Sequence, residues 1–413
     1  MNTEEKQSTA LVPTVPEAPK PVVKGAEGGS YWDRVAGYYT VCLRALLILL
    51  VAFCILFTIL FSKVFTYDSV LCFFRDLQSA SSFVSDGYST VNATYMEGEQ
   101  TVLPYRGGIA FVGTGGIEIY SPGGDRLLNV EHPMGVPRAV ASRKYLVAYD
   151  HGSTRFYVTN SYAELYRGEV EFPIYGAFIS DSGHFALITA SDQTLSQVLL
   201  YDSNFNLIQR FNRSSATIGV AVSDNGKRIA ILGATAAEGT VATRVDLFQR
   251  GALSAEASFT FSGEMPLAME FTTDRNVVVL TDKALRACDI NGKVRSELNT
   301  GKGTSVAFDV GDRGAVLAQE TDPVTGLYRV LAVDKRGAVL YDGAFDSDVL
   351  AVAMGNDEIF FLTPDHVCRV DTDTGEVTKQ QVPEGATDIF CVGDGQVRVC
   401  YTAKAEMIFF KQS

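Results

Sequence analysis

A serine, an aspartate and a histidine lie within five residues of one another in the stretch GAFISDSGHFALITA, residues 176–190. These residue types can supply a nucleophile, an orienting acid and a general base, so the stretch raises the possibility of acyl-transfer chemistry. A second stretch, GVAVSDNGKRIAILG at 219–233, repeats the pattern with Lys227 in place of His184. A catalytic set is not normally copied with its base exchanged, whereas a β-turn can be. We therefore interpret both stretches as hairpins, and His184 as a solvated strand start.

A second group of possible ligands lies in the segment DTDTGE at 371–376, where Asp371, Asp373 and Glu376 are close together. Such oxygens can hold calcium, but an EF-hand loop needs further ligands and a glutamate at its twelfth position, which this segment lacks. The segment also falls where the repeats described below require a turn. We therefore assign no metal and no cofactor, and keep these three residues as weak calcium candidates.

Other signatures of catalysis are absent from the sequence. The four histidines show no His-x-x-x-His spacing, and there is neither a Gly-x-Ser-x-Gly elbow nor a phosphate-binding Gly-x-x-x-x-Gly-Lys-Ser/Thr loop. The seven cysteines form no Cys-x-x-Cys pair. Cys391 and Cys400 flank one tight turn, but a hairpin centred on Asp394 would pair Cys391 near Val397, so we expect no disulfide there. We assign no catalytic residue and expect no enzyme.

The hairpin pattern recurs along the chain at a regular distance. Its turn positions are 43, 50, 38, 44 and 38 residues apart, at Asp181, Asp224, Asp274, Asp312, Asn356 and Asp394. Propeller blades repeat with a similar period, about 40–50 residues. A second marker, a strand followed by a Gly or Asn turn and another strand, falls later in each unit, as in YDSNFNLI and CDINGKVR. Two hairpins per unit make four strands, which is one blade.

Eight units can be counted, starting near residues 102, 137, 174, 217, 265, 303, 348 and 386. The last unit has room for three strands, and the segment GYSTVNATY at 87–95 alternates suitably to supply the fourth. Closing the ring in this way leaves no open strand edge. The sequence therefore predicts an all-β fold, an eight-bladed β-propeller, with seven blades as the alternative.

Two carboxylates interrupt the otherwise aliphatic first strands of these units. Glu270 and Asp309 fall at similar places in consecutive units, so both could line the central channel. An alternation between a solvated channel face and a packed face accounts for them as well, and we favour that interpretation over a working carboxylate pair.

A charge-free apolar run, ALLILLVAFCILFTILF at residues 45–61, precedes the repeats. A helix crossing the bilayer needs ~17–25 residues. We predict four zones: a disordered cytoplasmic tail at 1–37, a transmembrane helix at 38–65, a juxtamembrane helix or stalk at 66–86, and the propeller at 87–413.

The flanking charges give an orientation to this span. Lys24, Arg34 and Arg44 precede it, whereas Lys63 and Arg75 follow it. Because positive charge favours the cytoplasmic side, we expect a cell-membrane protein whose N-terminus is cytoplasmic and whose propeller is extracytoplasmic. The net charge of −13 makes nucleic acid a poor partner.

The paired SDSG and SDNG turns and the Asp-x-x-Gly-x-Val turns resemble those of WD40-like, YVTN-like and quinoprotein-like propellers, over roughly residues 87–411. Trp32 is the sole tryptophan, so the Trp-Asp signature of WD40 repeats and the tryptophan docking motifs of quinoprotein propellers are absent. The layout resembles an uncharacterised family, a domain of unknown function, of single-pass membrane-anchored propellers from Gram-positive anaerobes. That resemblance implies no site residues.

Two functions are compatible with this reasoning. The favoured one is an extracytoplasmic binding or scaffolding module for a protein or cell-envelope partner, without catalysis. The alternative is an extracytoplasmic hydrolase, lyase or sugar sensor that uses the central channel.

Overall fold

The computed structural model describes residues 29–60, 91–92, 99–237, 239–301, 303–402 and 404–410. The chain divides near residue 71 into two compact units, which are described separately. The predicted juxtamembrane segment at 66–86 and the first 28 residues of the predicted tail lie outside the described residues.

The N-terminal unit contains one helix, α1 (Gly29–Leu60). Its 19-residue stretch Val35–Phe53 has a mean hydropathy of 2.0 and is not buried against other protein, so α1 is long and apolar enough to cross a membrane. The helix begins nine residues before the predicted span at 38–65, so residues 29–37 are not the disordered tail that we predicted. A helix can continue beyond its apolar residues until a helix-breaking residue stops it. No proline lies between Pro21 and the apolar run, so no proline prevents the helix from including residues 29–37.

The second unit is an eight-bladed β-propeller, as predicted. Each blade is a four-stranded antiparallel sheet, and blades 1 to 7 take their strands in chain order. The first four blades consist of β2 (Gln100–Tyr105), β3 (Gly108–Gly113), β4 (Gly116–Tyr120) and β5 (Arg126–Glu131); β6 (Pro137–Ala141), β7 (Leu146–Asp150), β8 (Arg155–Thr159) and β9 (Glu164–Glu169); β10 (Ile174–Ile179), β11 (Phe185–Thr189), β12 (Ser196–Tyr201) and β13 (Leu207–Arg213); and β14 (Ala216–Val222), β15 (Arg228–Ala237), β16 (Thr240–Gln249) and β17 (Ala257–Ser262).

Blades 5 to 8 follow the same plan, and β1 (Val91–Asn92) joins blade 8 from the other end of the domain. Their strands are β18 (Pro266–Thr273), β19 (Asn276–Thr281), β20 (Ala284–Asp289) and β21 (Val294–Asn299); β22 (Thr304–Gly311), β23 (Gly314–Asp322), β24 (Leu327–Asp334) and β25 (Val339–Phe345); β26 (Ala351–Met354), β27 (Glu358–Leu362), β28 (His366–Asp371) and β29 (Val377–Gln381); and β30 (Ala386–Gly393), β31 (Gln396–Tyr401) and β32 (Lys404–Phe409).

Strand position within a blade explains the apolar pattern of the sequence. Second strands such as β11, FALIT, are buried at every residue because a neighbouring blade covers each face. Outer strands such as β17, ASFTFS, alternate between partly buried and exposed residues because one face is solvated. The buried apolar residues of the described part form eight clusters, one at each junction between neighbouring blades. The ring of blades is therefore held together by apolar packing between sheets.

The ring closes through its N-terminal strand, as predicted. β1 pairs with β32 in the register Val91↔Ala405 and Asn92↔Lys404, so it is the outermost strand of blade 8. Val91 is 1% exposed and belongs to the apolar cluster between blades 8 and 1, with Ile109 and Phe111. Blade 8 is therefore built from both ends of the domain.

A buried arginine lies in this closing blade without a carboxylate partner. Arg398 on β31 is 1% exposed, with its Nε 3.2 Å from Met407 Sδ and its Nη2 3.4 Å from the Pro122 carbonyl oxygen. Its Nη1 has no hydrogen-bond partner among the described residues. Burial lowers the pKa of this guanidinium. An uncompensated buried charge of this kind destabilises the fold.

The cysteine prediction for the last blade is confirmed. Cys391 lies opposite Val397 and Cys400 opposite Asp388 in the β30–β31 ladder. Both cysteines are free thiols.

The first strands of neighbouring blades contact one another in sequence around the ring and border a central channel. Each first strand ends at a turn into the second strand, and we call the end of the propeller that carries these turns the turn face. We call the opposite end, where the first strands begin, the entry face. The second-to-third-strand hairpins also lie on the entry face, because the strands of each blade alternate in direction.

Candidate functional site: the two ends of the central channel

The Ser, Asp and His of the stretch 176–190 do not form a catalytic set. Ser180 Oγ lies 2.6 Å from Ser182 Oγ and 3.3 Å from the His184 carbonyl oxygen, not from the imidazole. Asp181 accepts a hydrogen bond from the Arg143 backbone N–H at 2.9 Å. Gly183 has φ +84° and its N–H donates to the Ser180 carbonyl oxygen, which closes the turn. The stretch is a hairpin, as predicted.

His184 is not the solvated strand start that we expected. It is half-buried, with Nδ1 2.9 Å from Ser182 Oγ and Nε2 3.0 Å from Arg250 Nη1. Burial, followed by the Arg250 charge, lowers the pKa of this imidazole. The ring packs on the turn of the next blade, where a Cβ on Gly226 would lie 2.6 Å from His184 Cε1. The sequence pattern could not show this contact because it depends on a glycine 42 residues away.

The turn face carries one first-to-second-strand turn from each blade, and the residues at its central positions differ in charge around the ring. In blade order they are Arg106, Arg143, Asp181, Asp224, Asp274, Asp312, Asn356 and Asp394. At these positions positive charge lies on blades 1 and 2, and negative charge on blades 3 to 6 and on blade 8. In the turns of blades 5 and 6 the next residue, Arg275 or Arg313, adds a positive charge beside the aspartate. The repeated aspartates of the sequence pattern gather at one mouth of the channel.

Arg143 spans this mouth. Its guanidinium lies 2.9 Å from Asp181 of the adjacent blade and 3.2 Å from Asp312, four blades away. The Arg143 side chain is 78% exposed, so both ion pairs are solvated and weak. Burial, followed by the charges of Asp181, Asp274 and Asp312, raises the pKa of Asp224. The negative charges of the neighbouring aspartates therefore raise the pKa of Asp224 by more than the positive charge of Arg143 lowers it.

A cavity of about 430 Å³ lies inside the turn mouth, and Glu270 lines it with Asp181, Asp224 and Asp312. Burial, with smaller contributions from Asp224, Asp312 and Asp181, raises the pKa of Glu270 to about 8. Glu270 Oε1 accepts a hydrogen bond from the Phe271 N–H at 3.1 Å. This bond lowers the pKa of Glu270, but by less than burial raises it. The Glu270 carboxyl is therefore protonated over much of the neutral range.

Asp309 lines a second cavity of about 460 Å³, together with Asp388, Arg313 and Met354. Asp309 Oδ2 accepts a hydrogen bond from the Met354 N–H at 2.9 Å, which links blades 6 and 7. Burial raises the pKa of Asp309. Burial also raises the pKa of Asp388 to about 6, and the charge of Asp309 adds to that shift. Asp309 and Asp388 are therefore electrostatic neighbours.

Glu270 and Asp309 both line the channel cavities. Glu270 pairs with Val278 and Asp309 with Val316, in each case the third residue of the second strand, so the two carboxylates occupy equivalent ladder positions in neighbouring blades. Neither is among the groups that shift the pKa of the other. The neighbour of Asp309 is Asp388, which our sequence reasoning missed. The signal that singled out the other two, a charge inside an apolar first strand, also marks ATDIF at 386–390.

The entry face carries exposed apolar side chains among charged ones such as Glu171, Asp348 and Glu384. Exposed apolar side chains lie at the beginnings of the first strands, with exposures of 52% for Tyr175, 43% for Ile218, 41% for Val306 and 44% for Leu350. The turn mouth is lined by carboxylates and guanidiniums together with apolar side chains such as Ile179, Val222 and Phe271.

Two long hairpins project from the same face. The strands β15 and β16 of blade 4 have 10 residues each, and β23 and β24 of blade 6 have 9 and 8, whereas β11 has 5. Apolar residues lie near their tips, with Val241 46%, Val324 90% and Leu327 39% exposed. Blades 4 and 6 flank blade 5, so the hairpins border a space on the entry-face side of the ring.

The weak calcium candidates lie in the turn between β28 and β29. Asp371 Oδ1 accepts hydrogen bonds from the Asp373 and Thr374 backbone N–H groups at 3.0 and 2.9 Å. These bonds lower the pKa of Asp371. Asp289 makes equivalent bonds in the corresponding turn of blade 5, to Asn291 and Lys293. Asp371 is therefore arranged as a turn-stabilising residue, and Asp373 and Glu376 are exposed.

Within the described ranges, no group of three or more His, Cys, Asp or Glu side chains is placed to hold a metal ion. The channel carboxylates belong to two cavities, and the four mouth aspartates around Arg143 are spread over four blades. The arrangement offers proton-binding carboxyls in the channel, a charged mouth and an entry face with exposed apolar side chains.

Comparison with known proteins fits this geometry. A model of a family of unknown function, DUF5711, matches residues 82–409. The chain belongs to that family. The matched residues include the closing strand β1 and all eight blades, so the family is defined on the propeller. A search of curated proteins finds no match.

Solved structures share the fold at low sequence identity. The C-terminal WD40 domain of Sif2 is 13% identical, with a TM-score of 0.57, and the match covers 78% of this chain and 99% of that domain. BamB from Moraxella catarrhalis is 13% identical, with a TM-score of 0.52, covering 78% and 98%. Chaetomium thermophilum Sqt1, solved bound to the N-terminus of the ribosomal protein L10, is 11% identical, with a TM-score of 0.53, covering 78% and 100%. These likenesses show a WD40-like propeller fold.

Proposed function

We propose that this protein is a membrane-anchored scaffold whose propeller lies outside the cytoplasm and binds a protein partner on its entry face. The observation that carries the proposal is the gathering of exposed apolar side chains on that face, at the first-strand starts and at the tips of two long hairpins. Exposed apolar side chains gathered on one face are typical of a protein-binding site.

The proposed partner has an apolar surface or an amphipathic segment that enters the space between the hairpins of blades 4 and 6. Burying apolar surface contributes roughly 25 cal/mol per Å². Side chains such as Tyr175, Ile218 and Val324 could therefore act as central anchors of an interface. Sqt1 supports this use of the fold, because that propeller is bound to the N-terminus of another protein.

Anchoring is proposed from α1, whose stretch Val35–Phe53 could span a bilayer. The side of the membrane is proposed from the flanking charge, with Lys24, Arg34 and Arg44 before the span and Lys63 and Arg75 after it.

Substitutions at the hairpin tips test the partner proposal. Val324→Asp and Val241→Asp change exposed side chains, so we expect both variants to fold, and a charge there to remove partner binding. The matched control is Leu253→Asp, because Leu253 is 98% exposed but lies in the turn between β16 and β17, on the turn face. In crosslinked pull-downs of the full chain from its own cells, a partner retained by wild type and Leu253→Asp but lost in both tip variants supports the proposal. Equal recovery by all four proteins contradicts it.

Cysteine labelling tests the proposed side of the membrane. Leu253→Cys introduces a fully accessible thiol into the propeller, and wild type reports the background from native cysteines. Labelling of intact cells by a membrane-impermeant maleimide is the expected result. Labelling that appears only after lysis would place the propeller in the cytoplasm.

A second candidate function is acid–base chemistry in the channel, and the specific observation that favours it is the pair Asp309 and Asp388. Carboxyls with a raised pKa can donate protons near neutral pH. No nucleophile hydrogen-bonded to a base lies beside them among the described residues, so we place this candidate second. A ligand or reaction that depends on the channel should be lost in both Asp309→Asn and Asp388→Asn, whereas partner binding on the entry face should survive both.

A further inference from the structure

A cleft on the rim of the propeller, away from the channel, lies between blades 2 and 3. It has a volume of about 470 Å³, within the ~300–1,000 Å³ range of small-molecule sites. One wall comes from β9 and the connection that follows it, and the other from β11, β12 and β13. We call it the rim cleft.

Aromatic rings form part of both walls. Tyr166 of blade 2 and Phe205 of blade 3 lie with ring centroids 5.5 Å apart. Tyr201 stacks on Phe185 at 4.7 Å, so its ring orientation is fixed. Tyr166 is 36% exposed and its ring is accessible from the cleft.

Phe205 occupies a backbone position that favours glycine. Its φ is +66°, whereas Gly292 and Gly337 occupy the same turn position in blades 5 and 6 with φ of +80° and +85°. In all three turns this residue's N–H donates to the carbonyl oxygen of the aspartate three residues earlier. A bulky side chain is disfavoured in the left-handed region because its Cβ crowds the following carbonyl oxygen. Blade 3 therefore holds an aromatic ring against the rim cleft at a cost in backbone strain.

Thr189, at the end of β11, supplies a buried hydroxyl without a partner. Thr189 is 1% exposed and lines the cleft, and its Oγ1 makes no hydrogen bond to any described residue. In blade 5 the corresponding Thr281 Oγ1 accepts from the Ala284 N–H at 3.0 Å and holds the following turn. In blade 3 that turn is longer and uses Ser191 instead, whose Oγ accepts from the Thr194 N–H. Thr189 therefore does not stabilise the turn after β11 in the way that Thr281 stabilises the corresponding turn of blade 5.

The remaining lining residues offer both donors and acceptors. Glu171 and Arg210 on opposite walls are exposed and have no ion-pair partner among the described residues. Gln197 lies opposite Thr189 in the β11–β12 ladder, and its amide donates to Asn212 Oδ1 at 2.8 Å. Two carboxylates, Glu169 and Glu171, against one guanidinium disfavour a phosphate or another anion. The polar groups disfavour a hydrocarbon ligand.

We propose that the rim cleft binds a neutral saccharide of one or two rings. The C–H face of a sugar ring packs on an aromatic ring, and its hydroxyls need donors and acceptors together, which the cleft supplies. A bound sugar hydroxyl completes the hydrogen bonding of Thr189 Oγ1. This site is separate from the channel, and the proposal does not rest on the proposed function.

Binding of simple sugars to the full chain tests the proposal. The chain is purified in a detergent without a sugar headgroup, because glycosidic detergents would compete. Glucose, N-acetylglucosamine, cellobiose and maltose are titrated by calorimetry and by saturation-transfer NMR. The variants are Thr189→Val, which keeps the shape of the side chain, and Tyr166→Ala. Tyr175→Ala is the control, since Tyr175 is an exposed tyrosine that does not line the cleft.

We expect at least one sugar to bind with a Kd of about 1 mM or tighter. Thr189→Val should weaken it about fivefold and leave the thermal stability of the free protein unchanged or higher, because it removes an unpartnered buried hydroxyl. Tyr166→Ala should weaken binding about tenfold, and Tyr175→Ala should leave it unchanged. Absence of binding of all four sugars to folded wild type overturns the proposal, as does binding that both cleft variants retain.

Discussion

Replacing Glu270 by glutamine should make the propeller more stable at alkaline pH and leave its stability unchanged at acidic pH. The folded-state pKa of Glu270 is about 8 against an ordinary 4.5. The folded carboxyl thus holds its proton more tightly than the unfolded one, so wild-type stability falls as pH rises between these two values. Glutamine has nearly the same shape and does not titrate.

The magnitude follows from the shift. A displacement from 4.5 to about 8 corresponds to at most about 4.8 kcal/mol at ~1.36 kcal/mol per unit. Because the Glu270 side chain is only partly buried, solvent screens part of this energy, and we expect an effect of about 2 kcal/mol on the free energy of unfolding at pH 9. Over a propeller of roughly 320 residues, with ~2.1 cal/mol/K of unfolding entropy per residue, that amounts to about 3 °C in Tm.

Differential scanning calorimetry of the full chain at pH 5, 7 and 9 measures the effect. Glu270→Gln should match wild type at pH 5 and exceed its Tm by about 3 °C at pH 9. Glu384→Gln is the control, because Glu384 is exposed and should show no pH-dependent difference. A difference between Glu270→Gln and wild type that stays constant from pH 5 to pH 9 would refute the reasoning.

Three further substitutions test the fold. Arg398→Met should raise stability by about 1–2 kcal/mol in denaturant titrations, since it removes an uncompensated buried charge; a loss of similar size would show that the guanidinium has a partner. Val91→Asp should cost about 3 kcal/mol or more by burying a charge in the closing junction, whereas Leu253→Asp should cost little; equal effects would contradict closure by β1. Asp371→Ala should lower Tm through its lost turn hydrogen bonds while Asp373→Ala leaves it unchanged, and a calcium-dependent Tm in wild type that both variants abolish would instead favour a calcium site.

The repeat was readable from the sequence because its signals are local. Turns that need positive φ take glycine, as at Gly183 and Gly226, and buried second strands give continuous apolar runs. These two signals located the eight blades. The short last unit predicted the closing strand that the structure shows pairing with β32.

The site was less readable because it depends on distant contacts. Glu270 and Asp309 do occupy equivalent ladder positions in neighbouring blades, as their places in the sequence indicated. Asp388 was available to the same reasoning and was overlooked. The Arg143–Asp312 ion pair joins blades four apart, so it follows only from the closed ring. The exposed apolar residues of the entry face likewise come from separate blades, namely blades 3, 4, 6 and 7.

Site-specific photocrosslinking in living cells tests most directly whether the entry face is the partner-binding surface. A photoreactive amino acid at position 324 or 241, near the tips of the two long hairpins, should give one discrete crosslinked product. The same amino acid at position 253, which is more exposed than either tip position but lies on the turn face, should give none. The result that would contradict the account is a product from position 253 with none from either hairpin tip.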